Sequence, residues 1–319
     1  MSKRKNAVRA LLMASVLISA GCQQNNSSTG DAATHAPADS ALAGKLKSPY
    51  TCTPPSKRDL NMYPMVLSNT ERQQMSLMFE EKYAFIKNGQ YQRFQQVQEP
   101  VKEAELTMMK SFTTDDCTTW PALRVYYGLE PSLNRFCYIY EPVNLVLAGQ
   151  SAYYDTFNVV TTTPRHLFMM QNGNFGEVPE VQAMALVDSY MQLTYIRNVG
   201  AYEHMQVTTD PHGIVFPFEE LDELVEQNYM VLLERLSRVL GENGKKLTLK
   251  EVKATYPFEG VIFHCGAKMS NGRWVQNLTM SPTISMPPPT PGIFTGASAD
   301  MGALCPPNCE KAIYRVLTE

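Results

Sequence analysis

Four residues able to do acid–base or metal chemistry crowd the stretch "AYEHMQVTTDPHG", Ala201 to Gly213: Glu203, His204, Asp210 and His212. Carboxylates and imidazoles can ligate a divalent metal or exchange protons near neutral pH. Their spacing fits no standard ligand motif, and Asp210-Pro211-His212-Gly213 is also a turn sequence, so a solvated loop is the plainer reading. A second pairing is His264-Cys265, a thiol beside a base. Neighbouring residues on a strand point to opposite faces, so Cys265 as a nucleophile needs His166, His204 or His212 brought from elsewhere. A third is the tyrosine series Tyr126, Tyr127, Tyr138, Tyr140, Tyr153 and Tyr154. Such rings can line a glycan- or peptide-binding face, or they can pack within a half-buried sheet. The sequence contains no GxSxG, GxGxxG, P-loop or HExxH pattern, and no cofactor is expected.

The elements that must position these groups alternate between two periods. Ser68 to Gly89 has polar cap residues, Met75, Met78, Phe79, Phe85 and Ile86 at helical spacing, and a closing glycine. Pro100 to Lys110 suits a second short helix, and Val178 to Gly200 a third, with Pro179 in its first turn. The clearest helix is Phe216 to Gly241, with acids at its start and Arg235 and Arg238 near its end, matching the helix dipole. Aromatic and β-branched runs at Pro121–Pro142 and Gly260–Met280 read as hairpins, with Asp155–Thr163 as a further strand. The expected fold class is α+β: amphipathic helices on antiparallel β-hairpins.

The two hairpins hint at an internal repeat at an offset of 138, with Gly128 against Gly266, Ser132 against Ser270, Arg135 against Arg273 and Phe136 against Trp274. Related halves are then expected at 51–165 and 177–280 within a body of 51–280. Residues 281–319, including "MPPPTPG", should be extended or irregular chain pinned by cysteines.

The body carries Cys52, Cys117, Cys137, Cys265, Cys305 and Cys309. Six cysteines in an exported chain most simply form three disulfides, of connectivity the sequence does not choose. Metal binding or a functional free thiol are the alternatives; the CxxxC spacing of Cys305 and Cys309 is not that of a redox or zinc motif.

Export follows from the start of the chain. Lys3, Arg4, Lys5 and Arg9 precede the eleven residues Ala10–Ala20, whose only polar members are serines. That run is too short to span a bilayer and has the build of a secretory signal peptide, residues 1–21. It closes on Ser19-Ala20-Gly21-Cys22, which resembles the lipobox of bacterial lipoproteins, with Ser19 standing where leucine is commoner. The resemblance implies acylation of Cys22 and anchorage of the body to a membrane by its acyl chains. Gln23 after the cysteine implies outer-membrane sorting. A weaker resemblance, "LRVYYGLE" with a late "LCPPNC", is to small bacterial proteins with an RVYYG-type strand and a CPPxC end, and implies no activity.

Residues 22–50 are polar and lack aromatic side chains until Tyr50, so a flexible tether is expected. Cleavage before Cys22 leaves 24 Lys+Arg against 31 Asp+Glu, a net charge of −7 that disfavours nucleic acid as a partner. The expectation is a non-catalytic binding or structural lipoprotein of the envelope, meeting another envelope protein or an extracellular partner. The alternative is an envelope hydrolase using Glu203–His212, with or without metal.

Overall fold

Short helical stretches separate long aromatic and β-branched runs, and the chain folds accordingly into helices laid on extended antiparallel hairpins. The computed structural model describes residues 65–96, 100–115, 119–150, 154–197, 204–206, 213–240, 247–270, 272–286, 292–294, 298–300, 303–305 and 311–315. The first half runs β1 (Met65–Leu67), α1 (Asn69–Lys82), β2 (Tyr83–Lys87), β3 (Gln90–Gln92), β4 (Gln95–Gln96), β5 (Val101–Lys102), α2 (Glu103–Lys110), β6 (Thr119–Glu130), β7 (Arg135–Gln150) and β8 (Tyr154–Thr161). Next come β9 (Phe168–Gln171), β10 (Asn174–Glu177), α3 (Glu180–Leu193), β11 (Thr194–Arg197), β12 (His204–Gln206), β13 (Gly213–Pro217), α4 (Phe218–Leu240), α5 (Leu249–Thr255), β14 (Phe258–Ser270) and β15 (Arg273–Met286). The chain ends in β16 (Gly292–Phe294), β17 (Ser298–Asp300), β18 (Ala303–Cys305) and β19 (Lys311–Arg315). The fold class is α+β.

Helices α1 and α3 are shorter than their flanking glycines suggest. Ser68 caps α1 in a capping box with Glu71, but the helix stops at Lys82, and Tyr83 is already extended (φ −104°, ψ 137°). Likewise α3 stops at Leu193, and Thr194 is extended (φ −91°, ψ 139°). Tyr83-Ala84-Phe85 and Thr194-Tyr195-Ile196 are aromatic and β-branched, and pairing as strands buries Tyr83, Phe85 and Thr194. Asn88 and Gly89, both at positive φ, make the tight β2–β3 turn instead of ending a helix.

Strands β2 and β11 pair with each other at the centre of the four-stranded sheet β12-β11-β2-β3. Their register is Tyr83↔Ile196, Ala84↔Tyr195 and Phe85↔Thr194. Adding 111 to each first-half position maps this set of pairs onto itself, so a local two-fold axis passes through the Ala84–Tyr195 pair. The same offset carries α1 onto α3.

The two related parts are exchanged. Helix α1 packs on β14 of the second hairpin, and α3 packs on β6 of the first. Strand β5 pairs with β14 (Val101↔Val261, Lys102↔Gly260), and β13 pairs with β6 in the matching register (Phe216↔Leu123, Pro217↔Ala122). Equivalent helix positions Phe79 and Tyr190, both fully buried, converge on Phe94 and Phe136 with ring centroids 5.6–6.3 Å apart. The offset of 138 holds for the first strand of each hairpin only. Cys137 lies opposite Gly128 but Asn277 lies opposite Gly266, a shift of two residues. The cause is the turn: Glu130↔Arg135 closes over four residues, whereas β14 and β15 zip two pairs further to Ser270↔Arg273. Arg135/Arg273 and Phe136/Trp274 are therefore not equivalent positions.

Between the hairpins lies the main core, where Tyr138 and Tyr140 of β7 and Phe216 of β13 meet Phe263 of β14 at 5.5–6.3 Å. Within residues 281–319, where extended or irregular chain is expected, the described residues include the short strands β16, β17, β18 and β19. Strands β17, β18 and β19 add to β1, β13 and β8, supplying pairing partners at sheet edges.

Candidate functional site

Long strands with alternating side chains give each hairpin an inner and an outer face, and the exchange of halves lays a helix across each outer face. On the second hairpin, alternation separates His264 from Cys265 as expected. Cys265 points into the main core, fully buried, 3.2 Å from Gln276 Nε2, and burial pushes its thiol pKa well up. Cys137 is buried under α3, its pKa raised to about 12 first by burial and then by the Glu130 charge. Both are free thiols, each enclosed by apolar side chains of a different cluster. Neither has the lowered pKa of a nucleophile. Cys305 lies in β18 opposite Gly213, while Cys22, Cys52, Cys117 and Cys309 lie outside the described residues.

His264 meets Ser281 on the outer face. Ser281 Oγ is 3.1 Å from Nε2, and Arg72 Nη1 of α1 is 3.3 Å from Nδ1. A guanidinium has hydrogens to give and no lone pair to accept with, so Nδ1 is the acceptor and the imidazole proton sits on Nε2. Ser281 Oγ therefore accepts from the ring. Serine activation needs the reverse, an Nε2 lone pair facing the hydroxyl and an acid holding Nδ1–H. Burial, and next the Arg72 charge, lower the His264 pKa to about 3, keeping the ring neutral. This is a structural hydrogen-bond relay between α1 and the hairpin.

The first hairpin carries a buried ion network that the sequence reading did not single out. Glu141, fully buried, accepts from Tyr126 Oη at 2.6 Å, from Arg165 Nε at 2.6 Å and Nη2 at 3.3 Å, and from Arg124 Nη1 at 3.3 Å. Arg165 also bonds Glu180 in the first turn of α3. The one available signal was register: Arg124 lies opposite Glu141, with Tyr126 two residues along the same face. Three of these donors converge on Oε2 and one, Arg165 Nε, on Oε1, so two guanidinium groups and a phenol fix the carboxylate within the fold. Tyr126, its pKa raised to about 12 by burial and by Glu141, stays a donor. Of the other tyrosines in the strip, Tyr127, Tyr138 and Tyr140 face the core. Tyr154 belongs to β8, and Tyr153 lies outside the described residues. Among the described side chains of this strip no common binding face forms.

Of the Glu203–His212 group, His204 sits in β12, paired with Arg197; Glu203, Asp210 and His212 lie outside the described residues.

A groove of about 740 Å³ opens instead between α2, α4 and α5. Its α2 wall is Glu103, Leu106, Thr107 and Lys110, and its α4 wall includes Phe218, Leu221, Asp222 and Val225. Each α2 residue is the equivalent, 115 positions on, of one α4 residue, so the groove separates matching faces of two related helices. The two walls are unlike in chemistry: Glu103 stands at the position equivalent to Phe218, Thr107 at that of Asp222 and Lys110 at that of Val225. Tyr229, Pro257 and Phe258 extend the apolar lining, and two ion pairs, Lys110–Asp222 (3.2 Å) and Lys253–Glu226, stand at it. Lys110 lies 5.9 Å over the Phe218 ring and Lys253 5.4 Å over that of Tyr229. Tyr229 donates to the Tyr256 carbonyl at 2.8 Å; burial, then the Glu103 and Glu226 charges, raise its pKa.

No family model, curated protein or solved structure matches this chain.

Proposed function

We propose that this chain is a lipid-anchored envelope lipoprotein, held through acyl groups on Cys22, whose body is a non-catalytic binding component with the α2/α4/α5 groove as its binding surface. The observation that carries the reading is the groove itself: a concave site of about 740 Å³, within the 300–1,000 Å³ usual for ligand pockets, with an apolar lining and a few charged groups. The arrangements of His264, Ser281, Cys265 and Glu141 favour binding over chemistry, since these groups are a neutral ring giving its proton to the hydroxyl, a buried thiol and a buried carboxylate held by two guanidinium groups. The start of the chain supports the anchor. The test is the intact mass of protein extracted from membranes. A chain beginning at Cys22 with a lipid-sized increment is the expected result; a mature chain without that increment overturns the anchor.

A further inference from the structure

The groove's charges are unevenly matched. Lys110 and Lys253 each have a carboxylate partner, Asp222 and Glu226. Glu103, exposed on the α2 wall, has no ion-pair partner among the described residues. Its charge reaches across the groove, because it is one cause of the raised Tyr229 pKa on the opposite wall. Two of the groove's three aromatic rings, Phe218 and Tyr229, have a lysine over them, and the third, Phe258, has none among the described residues, so the lining accommodates positive charge. On the α4 side, Leu221 and Val225, with Phe258 beyond α5, supply the apolar surface between the charged groups.

We propose, resting on the binding reading above, that the groove takes a small amphiphile bearing one cationic group, its apolar body against Leu221, Val225 and Phe258 and its cation at Glu103. An anionic head would sit beside Glu103, Asp222 and Glu226 and displace a lysine from its partner to gain one. A cationic head completes the charge balance without breaking either pair, and a volume of about 740 Å³ suits a ligand of small-molecule size.

The experiment is calorimetric titration of the full chain with n-octyltrimethylammonium and, separately, n-octanoate. The ammonium should bind roughly threefold or more tightly than the carboxylate, the scale of one exposed ion pair, and Glu103→Gln should erase that difference. Val225→Trp, which fills the groove from the α4 wall, should remove binding of both probes. Thr107→Trp fills it from the exposed α2 wall and should do the same without touching the core. Equal binding of the two probes overturns the cationic class and leaves the groove as a site. Binding of neither probe, or binding that survives both tryptophan variants, overturns the groove reading as well.

Discussion

Met75 of α1 sits directly on Gly266 of β14: a β-carbon placed on the glycine would stand 3.0 Å from Met75 Cβ. The equivalent pair across the exchange is Leu186 of α3 on Gly128 of β6, where the added carbon would lie 3.3 Å from Leu186 Cβ and 2.8 Å from Cys137 Sγ. Each helix therefore reaches its partner hairpin over a position that must lack a side chain. Gly266→Ala and Gly128→Ala should each destabilise the protein by about 1–3 kcal/mol. Gly149→Ala, where the new methyl meets nothing within 4 Å, should stay within about 0.5 kcal/mol of wild type. Urea denaturation measures all three; equal midpoints for Gly266→Ala and Gly149→Ala would refute the close contact.

The exchange also exposes a mismatch between Glu105 and Glu220, equivalent positions in the first turns of α2 and α4. Glu105 Oε2 accepts from the Lys102 backbone N–H at 2.7 Å, closing the helix start. Opposite Glu220 stands Pro217, which has no N–H to give. Both Glu220 oxygens are buried without a partner, and burial, then the Glu223 and Glu219 charges, raise its pKa well above the usual value. A carboxyl whose folded pKa is raised keeps its proton where the unfolded chain has released it. Stability should thus fall as pH rises from about 4.5 toward the folded pKa, by up to about 1.4 kcal/mol per pH unit. Glu220→Gln should flatten that slope and match wild type near pH 4. Denaturation midpoints across pH 4–8 decide it; an unchanged slope in the variant would show that Glu220 is not its source.

How far this fold could be read from sequence depends on which signal set each element. The hairpins around Gly128 and Gly266 and helix α4 announce themselves by period and, in α4, by the acids at its start and the arginines near its end; the short helix α2 follows Pro100. The ends of α1 and α3 do not, because Tyr83 and Thr194 sit in continuous amphipathic patterns and only pairing between β2 and β11 turns them into strands. The repeat was visible at Gly128/Gly266, yet its exchange was not, since which hairpin receives which helix is a long-range choice. The groove and the Glu141 network were illegible for the same reason: Lys110 and Asp222 are far apart in the chain, and Arg165 reaches Glu141 from a loop.

Glu141 tests whether that network holds β6, β7 and the start of α3 together. Removing the carboxylate strands two guanidinium groups in a largely buried setting, which typically costs about 3–5 kcal/mol. Glu141→Ala should fall in that range, and Tyr126→Phe should cost roughly 1.5–3 kcal/mol, because its hydroxyl donates to Glu141 and accepts from Arg124 and Arg165. Glu130→Ala breaks the Glu130–Arg135 pair, whose side chains are 27% and 22% exposed, and should cost no more than about 1 kcal/mol. Chemical denaturation of the three variants should reproduce this order. A Glu141→Ala variant as stable as Glu130→Ala would mean that the buried network carries no stability of its own.

His264 makes the most specific claim about protonation. Its folded pKa of about 3 lies below the unfolded value of about 6.5, so the folded state resists a proton that the unfolded chain accepts. The stability this contributes is complete above pH 6.5 and is lost as pH falls from there toward 3. Nitrogen NMR of the ring should find a neutral imidazole protonated on Nε2 and not titrating between pH 8 and 5. His264→Gln should be less stable than wild type at pH 7 and lose less of its remaining stability on acidification. A ring protonated on Nδ1 would reverse the conclusion, because Arg72 could then no longer donate to it and Nε2 would be free to take the Ser281 proton. Ser281 and His264 would become a candidate nucleophile and base, and the non-catalytic reading would fall with the relay.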